Sequence, residues 1–323
     1  MRIAIIGGGA WGSALAHIFS SKHSVLVYDR NPQKVNLINK GIYPADKSLK
    51  ISNSVKGTVN FEEALQFGDI FFISVPTQVV RNVLKKFPRR FDKPLIITSK
   101  GLEIETFKTI SDIVKEELPF AEYFVLSGPS FAKEVVLEKP TAVVLSGFNK
   151  KLGLKLQEEL NLPTFRIYWN DDVKGVELGG ALKNVMAIAV GICDGLELGL
   201  NARSALITRS LGEMAFIGKA LGAKWETFYG LSGLGDLVLT STGDLSRNRQ
   251  FGLAIGRGEK VEEALKRIGT VEGFYTARAL KKLIDKLNLE LPITETVYRV
   301  LYENLPPRKA VEILINRQPK EEF

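Results

Sequence analysis

The chain is 323 residues long, enough for two domains at about 150 residues each. Hydrophobic residues make up 45% and charged residues 25%, a balance that excludes wholesale disorder. A chain of this length buries about three quarters of its unfolded surface, so neither disulfides nor a structural metal is needed to hold it. The single cysteine, Cys193, excludes an internal disulfide and an all-cysteine zinc site; it fits a reducing, cytoplasmic setting. The net charge of +8 points to anionic partners, either nucleic acid or phosphorylated small molecules. No uninterrupted apolar run approaches the roughly 20 residues of a membrane span, and Met1-Arg2 leads through four apolar residues straight into glycines. Neither an integral membrane segment nor a signal peptide is expected. His17, inside the first predicted helix, and His23, in the turn after it, are poorly placed as general bases, so proton transfer falls to a lysine or a carboxylate.

The first predicted element is a buried strand over 2–6. A glycine-rich turn follows, then a helix over 11–20 and a strand over 24–28. Further strands are predicted over 70–75, 95–98, 123–126, 141–145 and 165–168, from short runs with a β-branched or aromatic majority and polar boundaries. Helical patterns over 77–86 and 107–117 lie between them. The alternation implies a parallel, doubly wound α/β sheet. Beyond Trp169-Asn170-Asp171 strand signals almost vanish. Asp171 or Asp172 caps a long helix to about 190; helices over 202–221, 247–256, 261–268, 276–287, 293–302 and 307–316 follow. The chain therefore divides into residues 1–170 and an all-helical 171–323, with the tail from 317 expected to fray.

Gly7-Gly8-Gly9-Ala10-Trp11-Gly12 fits G-x-G-x-x-G between a strand and a helix, the setting a dinucleotide requires. Gly7 permits the tight turn, Gly9 lets a pyrophosphate approach the backbone, and Gly12 lets the helix pack on the sheet. The anion rests on the helix N-terminus. Asp29, at the end of the second strand, suits the ribose hydroxyls of NAD, whereas Arg30 suits the 2′-phosphate of NADP; Asp29 repels a phosphate, which favours NAD and leaves NADP open. Trp11 either walls the cofactor cleft or packs in the core. Lys100 and the Ser127-Gly128-Pro129-Ser130 turn follow strands, at the edge where ligands bind in such sheets. Lys100 reads as an anion contact, and Ser130 as a cap for the helix after it.

Lys183 sits in Glu177-Leu178-Gly179-Gly180-Ala181-Leu182-Lys183-Asn184-Val185-Met186-Ala187. On a helix its neighbours are Gly179, Gly180, Met186 and Ala187. Two mid-helix glycines cost roughly 1 kcal/mol each against alanine, which implies another group pressed on this face. A lysine buried there loses proton affinity, as a catalytic lysine requires; the alternative is a lysine snorkelling from a packing seam. Downstream, Ser246 reads as an N-cap with Arg247 and Asn248 in the first helical turn. A cation at a helix N-terminus is unfavourable unless an anion joins it, so this is a candidate phosphate site. Asp236, among glycines, either positions a ligand or Lys183 or closes an Asx turn.

Taken together, GGGAWG at 7–12, SKGLE at 99–103, SGPSFA at 127–132, ELGGALKNVMAIAVGICDGLELGLN at 177–201, GLSGLGDLVLTSTGDLSRNR at 230–249 and VEG at 271–273 resemble the bacterial type of NAD(P)-dependent glycerol-3-phosphate dehydrogenase. The resemblance covers nearly the whole chain. It implies a Rossmann domain plus an all-α C-terminal domain like that of phosphogluconate dehydrogenase. It also implies interconversion of sn-glycerol 3-phosphate and dihydroxyacetone phosphate with NAD or NADP, which supplies glycerol 3-phosphate for phospholipids. Carried over by motif, Lys183 resembles the proton acceptor, and Lys100, Gly128, Ser130, Asp236, Ser246, Arg247 and Asn248 resemble substrate contacts. Ala10, Trp11, Arg30, Lys100, Ala132, Arg247, Val271 and Glu272 resemble cofactor contacts. Ala10 stands where serine is common, and Asp29 where small residues are common. No metal is implied; a homodimer is entertained. Two other readings are a related enzyme acting on a 3-hydroxy acid or hydroxyacyl thioester, and a non-catalytic nucleic-acid or dinucleotide sensor. The basic run from Lys85 to Arg90 has no interleaved aromatic beyond Phe87, so nucleic acid is not expected.

Overall fold

A computed structural model describes residues 1–319 and 321. Its centre is one eight-stranded sheet, built of β1 (Arg2–Ile6), β2 (Ser24–Tyr28), β3 (Lys56–Thr58), β4 (Ile70–Ile73), β5 (Leu95–Ile97), β6 (Tyr123–Ser127), β7 (Thr141–Gly147) and β8 (Phe165–Asn170). The strand order is β3-β2-β1-β4-β5-β6-β7-β8. Strands buried on both faces read as continuous apolar runs, and Ile3, Ala4, Ile5 and Ile6 are all shielded from water.

The expectation of an all-parallel sheet needs correction. β7 runs antiparallel to β6, whereas β8 is parallel to β7. The β6–β7 connection holds only the five-residue helix α6 (Ala132–Val136), about 8 Å long. A parallel return along a seven-residue strand must cover about 23 Å, so the chain doubles back instead. Around the sheet lie α1 (Ala10–Phe19), α2 (Pro32–Asn39), α3 (Phe61–Phe67), α4 (Val80–Leu84), α5 (Ile110–Glu117) and α7 (Lys150–Leu160). The helix expected over 77–86 is a 3₁₀ turn, Thr77–Val79, followed by the short α4. The one expected from 107 begins at Ile110, because Phe107 takes a left-handed φ of 60° and Leu102 bridges to Thr109. The basic run after α4 is exposed except for Phe87, which packs edge-on to Phe61, Phe71 and Phe91.

The second half is helical: α8 (Val173–Gly195), α9 (Gly199–Ala220), α10 (Asp236–Thr242), α11 (Arg247–Gly256), α12 (Val261–Ile268), α13 (Glu272–Leu287), α14 (Pro292–Tyr302) and α15 (Pro307–Ile315). Asp172 caps α8 by accepting from the Gly175 N–H at 2.9 Å. α8 is long and apolar enough to cross a membrane, but its whole apolar window is buried inside the protein. Val173 and Val176 join one sheet core, while Leu182, Val185 and Met186 join the helical core. α8 thus carries its middle residues to the carboxyl edge of the sheet. α11 crosses it at backbone contact: a Cβ at Gly191 would lie 2.1 Å from the Arg249 carbonyl, and one at Gly252 2.1 Å from that of Ile188. Of the tail expected to fray, Arg317 pairs with Glu290; Lys320, Glu322 and Phe323 lie outside the described residues.

Candidate active site

The glycine turn is built by steric necessity. Gly7 has φ 117°, and a Cβ there would lie 2.6 Å from the Ser74 carbonyl at the end of β4. A Cβ on Gly12 would strike the Gly7 carbonyl at 1.9 Å, whereas nothing lies within 4 Å of one on Gly9. That opening faces the start of α1, which no side chain caps, so its first N–H groups are available to an anion. Asp29 is buried and ties the turn down: Oδ2 accepts from the Gly8 N–H at 2.9 Å, Oδ1 accepts from the Asn31 N–H at 2.9 Å, and Lys34 Nζ lies 3.4 Å away. Arg30 beside it is exposed. Trp11 packs on Phe165, with its buried Nε1 unpartnered among the described residues. Tyr43, which sequence reasoning missed, donates its hydroxyl to the Ala10 carbonyl at 3.0 Å.

Lys183 is buried in the middle of α8. Its Nζ donates to Asp236 Oδ1 at 2.9 Å and to Thr240 Oγ1 at 2.6 Å. The other Asp236 oxygen accepts from Lys100 Nζ at 2.6 Å, and Lys100 also donates to the Gly128 carbonyl at 3.1 Å. The two glycines before Lys183 have the role their cost implies: a Cβ at Gly179 would lie 2.6 Å from the Ser232 carbonyl, and one at Gly180 2.6 Å from Ser127 Oγ. Burial lowers the pKa of Lys183 to about 8; Asp236 opposes that shift and Lys100 adds to it. Burial pushes the Asp236 carboxyl up, but Lys100 and Lys183 overcome it and hold the group below its ordinary range. Asp236 begins α10, after a π-helical turn over Leu231–Gly235, so it is a buried bridge between two lysines rather than an Asx turn. Thr240, one turn on along α10, went unassigned in the sequence, although the i, i+4 spacing places it beside Asp236.

Ser130 does not cap α6. That helix starts after Phe131 without a side-chain cap, and Ser130 Oγ instead donates to the Gly128 carbonyl at 2.9 Å. Ala132 is the first residue of α6 and packs against the sheet core. Ser246 does cap α11, accepting from the Arg249 N–H at 3.2 Å. Arg247, next along, is exposed and makes no hydrogen bond or ion pair among the described residues, yet its charge acts on both Tyr43 and Glu272. The α11 N-terminus therefore faces the glycine turn. Asn248 accepts from the Gly273 N–H at 2.9 Å and donates to Asn184 Oδ1 at 2.9 Å, linking α11, α13 and α8 just beyond Lys183. Asn184 is a third residue missed in the sequence. Val271 is buried, and Glu272 begins α13 with Oε2 buried and unpartnered among the described residues. Burial raises its pKa to about 6, against the pull of Thr77, which it faces, and of Arg247.

These features fit a dinucleotide: an open glycine turn at an uncapped helix, an acid and a cation at the end of β2, and a buried carboxylate oxygen without a donor across the cleft. Two family models agree with the fold. One, described as NAD-dependent glycerol-3-phosphate dehydrogenase N-terminus, matches residues 2–153, and the C-terminal one matches residues 172–312. The chain belongs to the NAD-dependent glycerol-3-phosphate dehydrogenase family. It is 45% identical over the full length of both chains to glycerol-3-phosphate dehydrogenase [NAD(P)+] of Nitratidesulfovibrio vulgaris, and 44% identical, again over both full lengths, to that of Thiobacillus denitrificans. The crystal structure of glycerol-3-phosphate dehydrogenase from Coxiella burnetii superposes with a TM-score of 0.94 at 38% identity, covering 98% of this chain and 99% of that one.

Proposed function

We propose that the protein interconverts sn-glycerol 3-phosphate and dihydroxyacetone phosphate with NAD or NADP, and so supplies glycerol 3-phosphate for phospholipids from the cytoplasm. Residues 1–170 hold the dinucleotide and 171–323 present the substrate. Gly7, Gly9, Gly12, Ala10 and Trp11 shape the cofactor cradle, with Asp29 and Arg30 at the ribose end and Ala132, Val271 and Glu272 beyond it. A bound nicotinamide supplies or takes up the hydride at the central carbon. The chain's own residues handle the proton and the phosphate. Neutral Lys183 takes the hydroxyl proton in oxidation; protonated Lys183 steadies the charge on the carbonyl oxygen and returns the proton in reduction. Asp236 and Thr240 hold its Nζ, and Lys100 holds the other Asp236 oxygen. Arg247, Asn248 and the capped start of α11 take the phosphate, and that remote binding orients the reacting carbon. Gly128 and Ser130 close the same edge.

The observation that carries this reading is the Lys183–Asp236–Lys100 bridge, with Lys183 and Asp236 buried, together with an exposed Arg247 that makes no ion pair among the described residues. A related dehydrogenase for a 3-hydroxy acid would offer that arginine a carboxylate in place of a phosphate, so the substrate itself separates the two readings. A panel of dihydroxyacetone phosphate, a 3-keto acid and a 3-ketoacyl thioester, each with NADH and NADPH, tests the choice. The reading expects cofactor oxidation with the first substrate; turnover with either of the others alone refutes it.

We further infer that two copies pair through the helical half. α9, α14 and α15 border an apolar groove of about 890 Å³, where Leu198, Phe216, Trp225, Tyr229 and Ile315 each leave 38% to 74% of their surface in water. At about 200 Å² per large side chain, these five expose roughly 500 Å². This is a large part of the about 800 Å² per partner that a stable interface buries. The lining also carries Arg209, Glu290 and Arg317, a mixture of signs that suits a second copy better than an anionic surface.

A further inference from the structure

Lys100 reaches Asp236 from the loop between β5 and α5, and its two side-chain contacts do not fix the backbone beneath it. The neighbouring β4–α4 turn does. Thr77 Oγ1 donates to the Lys100 carbonyl at 3.0 Å. One residue on, the Gln78 amide closes a two-sided bridge: Nε2 donates to the Leu102 carbonyl at 2.8 Å, and Oε1 accepts from the Ile104 N–H at 3.0 Å. Arg81 then forks onto Glu103 at 2.8 and 2.7 Å and reaches Glu117 at 2.6 Å. The loop lies hard against the turn, since a Cβ on Gly101, with φ 147°, would approach Thr77 Oγ1 to 2.7 Å. Only a primary amide of this length offers one donor and one acceptor to backbone groups two residues apart. A methionine fills the volume and makes neither bond, and an ionised glutamate accepts but cannot donate.

We propose that Gln78 is a positioning residue: its amide sets the backbone that delivers Lys100 to Asp236, and through that bridge it fixes Lys183. This rests on the roles given above to Lys183 and Lys100. The test compares Gln78→Met and Lys100→Met with the parent. It reads kcat/KM for glycerol 3-phosphate oxidation against pH, NADH dissociation by fluorescence, and the thermal midpoint. A misplacement of about 1 Å can lower a rate 10²-fold, so kcat/KM of Gln78→Met is expected to fall about 10- to 100-fold while NADH affinity stays within twofold. The pH midpoint of the oxidation is expected to move upward, because Lys100 lowers the pKa of Lys183 and a slack loop withdraws that repulsion. An unchanged kcat/KM in Gln78→Met beside a large loss in Lys100→Met overturns the proposal and leaves the reading of the site standing. So does a loss that tracks a lower thermal midpoint with the pH midpoint unmoved, since that is a purely structural role. Full activity in Lys100→Met overturns both.

Discussion

Arg247 presents a planar fork at the first turn of α11, a geometry that the proposed phosphate would accept bidentately beside the helix N–H groups. A hydrogen bond to a charged group contributes about 1.5–3 kcal/mol. Arg247→Ala should therefore lower kcat/KM for dihydroxyacetone phosphate roughly 10- to 150-fold and leave unphosphorylated dihydroxyacetone nearly untouched. Equal losses for both substrates at saturating NADH would assign the arginine to the cofactor or the fold. Asp29 poses a different question, because both of its oxygens already serve Gly8 and Asn31. Asp29→Ala should weaken both cofactors by loosening the glycine turn, yet raise the ratio of kcat/KM for NADPH over NADH, since repulsion of a 2′-phosphate is gone and Arg30 is free to pair. A ratio that stays constant or falls would leave Asp29 as a loop clasp only. At this scale the sequence was legible where a residue's own type and spacing set its surroundings, as for the burial of Lys183 and the Ser246 cap. It was opaque where a partner arrives from another helix: Thr240, Asn184 and Tyr43 are ordinary polar residues until the fold brings them together.

Among the elements, the α8–α11 crossing matters most, because it joins Lys183 to Arg247. A Cβ on Gly252 would sit 2.1 Å from the Ile188 carbonyl and 2.9 Å from the Ile192 nitrogen, and backbone on either side cannot yield. Gly252→Ala should destabilise by about 1–3 kcal/mol, the usual cost of overpacking, read as a lower denaturation midpoint at an unchanged slope; a parental midpoint would mean that the helices are not in contact there. The long strands and α8 were legible from continuous apolar runs and a capping aspartate. Their directions were not. Whether β7 pairs parallel or antiparallel depends on the reach of the connection before it, and the same apolar run serves either. β3, of three residues, and the short, uncapped α6 are held by tertiary packing rather than by a pattern of their own; α3 does carry a capping Asn60 with two glutamates in its first turn, a signal that the sequence reading passed over.

In the whole molecule, the apolar groove and the Lys183–Asp236 bridge share α8, since Ile192 and Cys193 line the groove between two and three turns beyond Lys183. Phe216→Asp places a charge in the groove and should convert a dimer to a monomer, as sedimentation at micromolar concentration would show; a parental protein that sediments as a monomer contradicts the pairing. The central claim is that buried Lys183 moves the proton. The most direct test is kcat/KM for glycerol 3-phosphate oxidation across pH 6–10 in the parent and in Lys183→Ala. With its pKa lowered to about 8, Lys183 is mostly protonated below that pH and cannot accept a proton. The parental rate should rise with pH through about 8 and then level, and the dihydroxyacetone phosphate direction should show the opposite slope. Loss of a positioned acid–base group costs about 10²- to 10⁴-fold, so Lys183→Ala should fall by that much and lose the rise near pH 8, with NADH affinity within a few fold of the parent. A variant that keeps near-parental turnover, or keeps the same rise with pH, would contradict the account.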